Sequence, residues 1–454
     1  MRHRRLYEQA VVSGDDPLDA SLGGSWALHG VEPSDAPLHV PRALLDQHTI
    51  IGGTTGTGKT RLLELLALQA IRAGEAVAII DPKGDRGMLD RVYACAEAAG
   101  RADRFRFLSL PDPSRSVAYN PLAHFEQTRE IADRVAGLLP TGGDHLPFRN
   151  FAWDVVGRVA QAVRDAGWPM TLARLRRGIE RMEELAGLLP PHRAAPLKQL
   201  LAHPREHFQK MTSALGPALA RLTSGSLKKQ LSPEEGGLGW PEAARERLIV
   251  YFFLGSMRGA DSAQAVAKLA LLDLQAFVGT RYGGAEPPEP FSLFVDEFSD
   301  VAMPEFVGLL NKSRGAGIAI ALATQTFSDL EASLGSEARA MQVLGNASTL
   351  VQFRSGNEQD AALFSRLAGR EPARVVSSGH SYEPALLGSG SEWVEDFRAV
   401  HSRQVQVRDE ELLPAHYAAR LANLHAFARI GGTLYKLQVP LVEASIGRPF
   451  SERP

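Results

Sequence analysis

The chain has one cysteine, Cys95, in 454 residues. That scarcity excludes an internal disulfide framework and leaves no cysteine cluster for zinc, which fits a reducing, cytoplasmic setting. The 13 histidines include no His-Glu-x-x-His arrangement, so a metal-hydrolase site has no support. No apolar run approaches the roughly 18 to 20 residues that a bilayer-spanning helix requires, and no apolar signal region follows the basic residues at the N-terminus. The formal net charge of -2 gives no global attraction to nucleic acid, although it permits a local basic channel. Internal repeats and low-complexity blocks are absent as well. What remains, with 44% hydrophobic and 22% charged residues, is enough to bury a large core divided into two or three lobes.

From His48 the pattern predicts a strand over Thr49 to Ile51, a glycine loop, a helix from Thr60 to about Ala73, a turn at Gly74 and a strand over Val77 to Ile80. That succession is a βαβ unit. Between Thr141 and Pro233 the apolar positions recur at three- and four-residue spacing, as in FAWDVVGRVAQAV and RMEELAGLLP, without a convincing strand. Continuous apolar runs return in RLIVYFFL, FSLFVDE, GIAIALATQT and STLVQF, as expected of parallel strands buried on both faces. The aromatics of YFFL read as sheet core. The expected fold is therefore α/β, a P-loop NTPase with a central, mostly parallel sheet and an inserted all-α domain. Its expected parts are an N-terminal segment 1–47, a nucleotide-binding domain from 48–140 and 234–454, and a helical insertion 141–233. The segment SSGHSYEPALLGSGS, from Ser377 to Ser391, reads as a surface loop or lid.

Residues Gly53, Gly58, Lys59 and Thr60 complete G-x-x-x-x-G-K-[ST] between a strand and a helix start, the context that motif demands. Glycines let the backbone form a nest of amides converging on phosphate oxygens, and the helix N-terminus adds its partial positive charge. Lys59 reaches the terminal phosphates and the Thr60 hydroxyl binds Mg2+. The expected lining for ATP is Gly53, Thr54, Thr55, Gly56, Thr57, Gly58, Lys59, Thr60 and Arg61.

A phosphate cradle needs an acidic partner, and SLFVDE supplies one. Asp296 is expected to hold the magnesium shell with Thr60, and Glu297 to orient or deprotonate the attacking water. Adjacent acids on a strand point to opposite sides, so at least one requires a cation or a water partner. Glu297 directly after Asp296, far downstream of Lys59, indicates an ATPase with an additional strand and a domain inserted between its two motifs. Downstream, NKSRGAG puts Arg314 near a subunit boundary, where it reads either as an arginine finger offered to a neighbour or as a complement to a helix dipole. ATQT puts Gln325 at a strand tip facing the phosphate, where its amide reads either as a sensor of the hydrolysis state or as a strand-end group satisfying the backbone. In DPKGD the aspartate and lysine read as nucleotide or interface contacts, or simply as a strand-to-turn stop.

The ordered set GGTTGTGKT, IIDPKGD, NPL, LFVDEFSD, LLNKSRGAGIAIALATQTFSDLEASLG and VLGNASTLVQFR resembles type IV coupling proteins, in particular the TraD/TraG-like coupling factors. The resemblance implies a RecA-like ATPase with an all-helical domain, forming a homo-hexameric ring that recruits the relaxase–DNA complex and drives DNA, single-stranded in this reading, through a type IV secretion channel. It puts Lys59 and Thr60 on the Walker A pair, Asp296 and Glu297 on Walker B, Arg314 on the finger and Gln325 on the sensor. Members of the family usually begin with a transmembrane anchor, whereas this chain begins MRHRRLYEQA. That basic cluster suits either a solvated terminus or peripheral contact with acidic lipid at the inner membrane. Two other readings share the same motifs: an FtsK- or HerA-like DNA translocase, and a docking adaptor in which ATP stabilises a ring without motor work.

Overall fold

The computed structural model describes residues 20–26, 37–140, 143–282, 288–387, 394–442 and 449–450. The basic N-terminal decapeptide lies outside them. By contacts, the chain divides into two compact units, residues 1–355 with 421–454, and residues 356–420.

The first unit is built on an 11-stranded sheet. Its strands are β1 (Ala20–Trp26), β2 (Pro37–Val40), β3 (Thr49–Gly52), β4 (Ala76–Asp81), β5 (Phe105–Ser109), β6 (Ile249–Phe253), β7 (Phe291–Val295), β8 (Ile318–Thr324) and β9 (Thr349–Gln352). The second unit contributes β10 (Arg370–Leu387) and β11 (Val394–Glu411), and the chain returns to the large sheet with β12 (His425–Ile430) and β13 (Thr433–Gln438). The large sheet runs β2-β1-β13-β12-β9-β3-β8-β7-β4-β6-β5. From β9 to β5 every pairing is parallel. Strands β12, β13, β1 and β2 close one side in antiparallel fashion.

The central strands are apolar on both faces because helices cover both. Every residue of β4, β6, β7 and β8 is buried. Strand β8 lies between β3 and β7. The register sets Gly52 beside both Thr324 and Gln352, and Val295 beside Leu322. Parallel strands in this register bring their C-terminal ends to one edge of the sheet, where ligands of open α/β sheets bind.

Between β5 and β6 the chain is helical from Thr128–Ala136 to Trp240–Arg245. The helical run thus extends beyond 141–233 on both sides. The long helix Leu146–Asp165 is its centre, packing against Thr128–Ala136, Leu172–Glu180 and Pro191–Leu201. Among the described residues no helix is long and apolar enough to cross a membrane.

The stretch read as a surface loop is corrected in the second unit. Ser377 to Leu387 belongs to β10, paired residue by residue with β11 in a long antiparallel ribbon, and residues 388–391 lie outside the described set. Serine and glycine content is a local signal, whereas the ladder is supplied by a partner strand read from elsewhere in the sequence.

Candidate nucleotide site

The loop between β3 and the helix Lys59–Arg72 is held from behind. Thr54 N–H and its hydroxyl both donate to Arg354 O, at 3.0 and 3.2 Å. The Thr57 hydroxyl donates to Thr54 O at 2.7 Å, and Leu424 N–H donates to Thr57 O at 2.7 Å. Two positions admit only glycine. Gly53 (φ 144°) and Gly58 (φ 124°) have left-handed backbones, and a Cβ on either would meet the Phe353 side chain at 2.7 and 2.9 Å. Thr55 and Gly56, at the loop apex, are exposed.

Lys59 is only 5% exposed, and its ammonium donates to Thr54 O at 3.1 Å. Burial lowers its pKa, while Glu297 and Asp296 pull it back up and Lys83 lowers it further. The two acidic side chains therefore lie within electrostatic reach of the lysine. The Thr60 hydroxyl donates to Asp296 Oδ2 at 2.9 Å, which joins the loop helix to the end of β7 across the intervening β8. Burial, then Glu297, push the Asp296 carboxyl up to about 6, against the hydrogen bond from Thr60.

Adjacent acids on a regular strand would diverge, yet here both face the loop. Strand β7 ends at Val295, and Glu297 takes a left-handed backbone (φ 44°), which breaks the alternation. Such a φ at a non-glycine residue is strained and is the kind of outlier that clusters at functional sites. The Gln325 amide donates to Glu297 Oε2 at 2.9 Å, and its carbonyl accepts from the Thr55 hydroxyl at 3.3 Å. Gln325 thereby spans from the acid to the loop apex.

One residue expected in the lining, Arg61, is placed elsewhere, and Arg314 lies away from the loop of its own chain. The Arg61 guanidinium pairs at 2.8 Å with Glu64, a fully buried acid that also takes an ion pair from Arg91. Arg314 is exposed at the opposite end of β8, just before Gly317 and close enough to His48 to act on its charge. The length of β8 separates it from its own chain's loop, about 20 Å at the rise of an extended strand. Asp81 in DPKGD is occupied as a turn-former, accepting from Gly84 N–H, Asp85 N–H and the Tyr251 hydroxyl at 2.7, 2.7 and 2.9 Å. The Glu64–Arg91 pair was not read from the sequence, because the two residues meet only once the helices Lys59–Arg72 and Arg86–Ala98 pack together.

The cradle fits a magnesium-bound triphosphate. It offers a glycine-shaped loop at a helix start, one buried ammonium, one hydroxyl and the carboxylates of Asp296 and Glu297. No group of three or more His, Cys, Asp or Glu that could hold a metal occurs among the described residues. A magnesium ion keeps waters and phosphate oxygens in its shell and takes only one or two carboxylates, a demand that Thr60 and Asp296 can meet.

Fold and site together define the chain as an α/β protein of RecA-like NTPase fold carrying an all-α insertion. Its fold is that of the bacterial conjugative coupling protein TrwB in a truncated form bound to sulphate, over 96% of this chain and 97% of that one, with TM-score 0.67 and 16% identity. The same holds for TrwB in complex with ADP and Mg2+, with TM-score 0.66 and 16% identity over 96% and 97%. Residues 35–227 match the family described as the type IV secretion-system coupling protein DNA-binding domain, and residues 290–423 match the TraM recognition site of TraD and TraG. Over these two regions the chain is similar to the type IV coupling proteins. A curated relative, the type 4 coupling protein DotL of Legionella pneumophila, is 30% identical over 70 residues, which is 15% of this chain and only 9% of DotL.

Proposed function

We propose that this chain is an ATP-hydrolysing coupling protein that recruits a relaxase–DNA complex and moves DNA, as single strand, towards a type IV secretion channel, working as a homo-hexamer at the cytoplasmic side of the inner membrane. The observation that carries the hydrolysis reading is the bond between Thr60 and Asp296 beside Lys59, with Glu297 held by Gln325 at the same edge. The coupling-protein DNA-binding region at 35–227 supports the substrate, and the TraM recognition region at 290–423 supports a partner from the DNA-processing complex.

Bound magnesium–ATP supplies the phosphoryl group and the Lewis acid that polarises it. The chain's own residues then have distinct tasks. Loop amides and Lys59 hold and neutralise phosphate oxygens, and Thr60 with Asp296 fixes the metal's place. Glu297 takes the proton of the attacking water. Gln325, bonded to both Glu297 and Thr55, relays a change at the acid to the loop apex and to the segment after β8. Arg314, exposed and remote from its own loop, is offered to the loop of the next subunit. Hydrolysis does mechanical work because a cleft closed around the triphosphate reopens when phosphate leaves.

The test is ATP turnover by the full chain in Mg2+, with and without single-stranded DNA. The expected result is turnover that DNA accelerates and that Lys59→Ala abolishes. Turnover indifferent to DNA would contradict the motor reading and leave a docking adaptor in its place.

A further inference from the structure

The segment leaving Glu297 is a stiff arm. Asp300 N–H donates to Glu297 O and Val301 N–H to Phe298 O, both at 3.0 Å. Val301, Ala302 and Met303 are buried, and the Phe298 and Phe306 rings pack at 4.5 Å. The arm ends at Glu305, which begins the helix Phe306–Ser313, and that helix ends at Arg314. Glu305 thus sits midway between the acid proposed as base and the arginine proposed to act on the next subunit.

The Glu305 carboxylate faces the helical insertion. It forms an ion pair with Arg149 on the helix Leu146–Asp165, and Arg149 Nε also donates to Ala136 O at 3.2 Å. Both side chains are largely removed from solvent, at 21% and 24% exposure. Lys268, on the helix Ala260–Arg281 between β6 and β7, lies close enough to attract the same carboxylate. A cavity of 420 Å³ adjoins the pair, lined by Asp133, Arg134, Trp153 and Gln275. The second carboxylate oxygen of Glu305 is buried and has no hydrogen-bond partner among the described residues. The joint therefore has room to move and an acceptor not yet satisfied.

The geometry points to Arg149 and Glu305 as positioning residues that make the helical insertion sense and set the hydrolysis site, through the arm that joins Glu305 to Glu297 on one side and to Arg314 on the other. This rests on the ATPase reading. The pair joins the region matching the coupling-protein DNA-binding domain to the region that holds the acids. An event on the insertion, such as DNA engagement, thereby reaches both ends of the catalytic apparatus. Removing Arg149 leaves Lys268 to compensate Glu305, so the fold survives while the link is cut.

Amide hydrogen exchange of the full chain, with and without Mg2+ and a non-hydrolysable ATP analogue, tests the link. Protection is expected at 53–60 together with altered exchange at 146–165. Glu305→Gln and Arg149→Ala should keep the first response and lose the second. Both variants should keep basal ATP turnover while losing roughly three- to tenfold in its stimulation by single-stranded DNA. Exchanging the charges, Arg149→Glu with Glu305→Arg, should restore the stimulation, which a merely structural role would not produce. Protection at 53–60 with 146–165 unchanged, or full stimulation in both single variants, overturns the proposal. No protection at 53–60 would instead remove the nucleotide reading, and the link with it.

Discussion

Replacing Glu297 by glutamine is expected to lower ATP turnover by about 10²- to 10⁴-fold, the worth of a positioned general base, while nucleotide binding persists. The substitution is nearly isosteric. A glutamine carbonyl can still accept from the Gln325 amide as Glu297 Oε2 does, so the loop contacts are kept while the proton acceptor is lost. The charge change acts in a known direction. Glu297 helps raise the Asp296 carboxyl, so its removal eases ionisation of Asp296, which offsets the lost attraction of the Glu297 charge itself for a cation. Turnover therefore falls while magnesium-dependent binding persists. Steady-state hydrolysis and equilibrium binding on the same preparation check this, and turnover within a few-fold of wild type would remove Glu297 from the role of base.

The second large effect belongs to Arg314. Exposed, and a strand's length from its own loop, it cannot serve the site of its own chain. Arg314→Ala is expected to cost roughly 10³-fold in turnover of the assembled protein, the lower bound for an arginine supplied in trans. A mixing experiment isolates the interface. Chains carrying Arg314→Ala retain the loop and acids, and chains carrying Glu297→Gln retain the arginine, so a mixture contains interfaces complete in both. Activity recovered on mixing two nearly inactive proteins supports the assignment. A mixture as inactive as its components, or an Arg314→Ala protein of normal activity, overturns it.

The parts of this molecule that were legible in the sequence are those encoded within one or two consecutive elements. A strand, a glycine loop and a helix reveal the cradle because every residue of GGTTGTGKT is needed in one place. The apolar runs of β6, β7 and β8 reveal a sheet buried on both sides. What was not legible depends on partners distant in the chain. The four antiparallel strands at the sheet edge carry no continuous apolar run, and β1 and β13 pair across nearly the whole sequence. The strand β10 is hidden by serine and glycine. The left-handed turn at Glu297, which brings two neighbouring acids to one site, is a backbone property that the letters DE do not express. The buried Tyr119–Asp273–Arg134 cluster likewise exists only through packing. Tyr119 donates to Asp273 at 2.6 Å and Arg134 pairs with it at 3.1 Å, fastening the helix Thr128–Ala136 to the helix Ala260–Arg281.

All of this depends on the loop and the distant acid sharing one magnesium-bound triphosphate. Binding of a non-hydrolysable ATP analogue, measured with and without Mg2+ from about pH 5 to about pH 8, addresses that directly. The folded Asp296 carboxyl holds its proton to about 6, whereas an aspartate in water releases it near 3.8. A cation must displace that proton, so the gain from Mg2+ should grow as pH rises through about 6 and then level off, and Asp296→Asn should abolish it. Wild-type binding indifferent to Mg2+ across the range, or an Asp296→Asn protein with the full magnesium gain, would contradict the account.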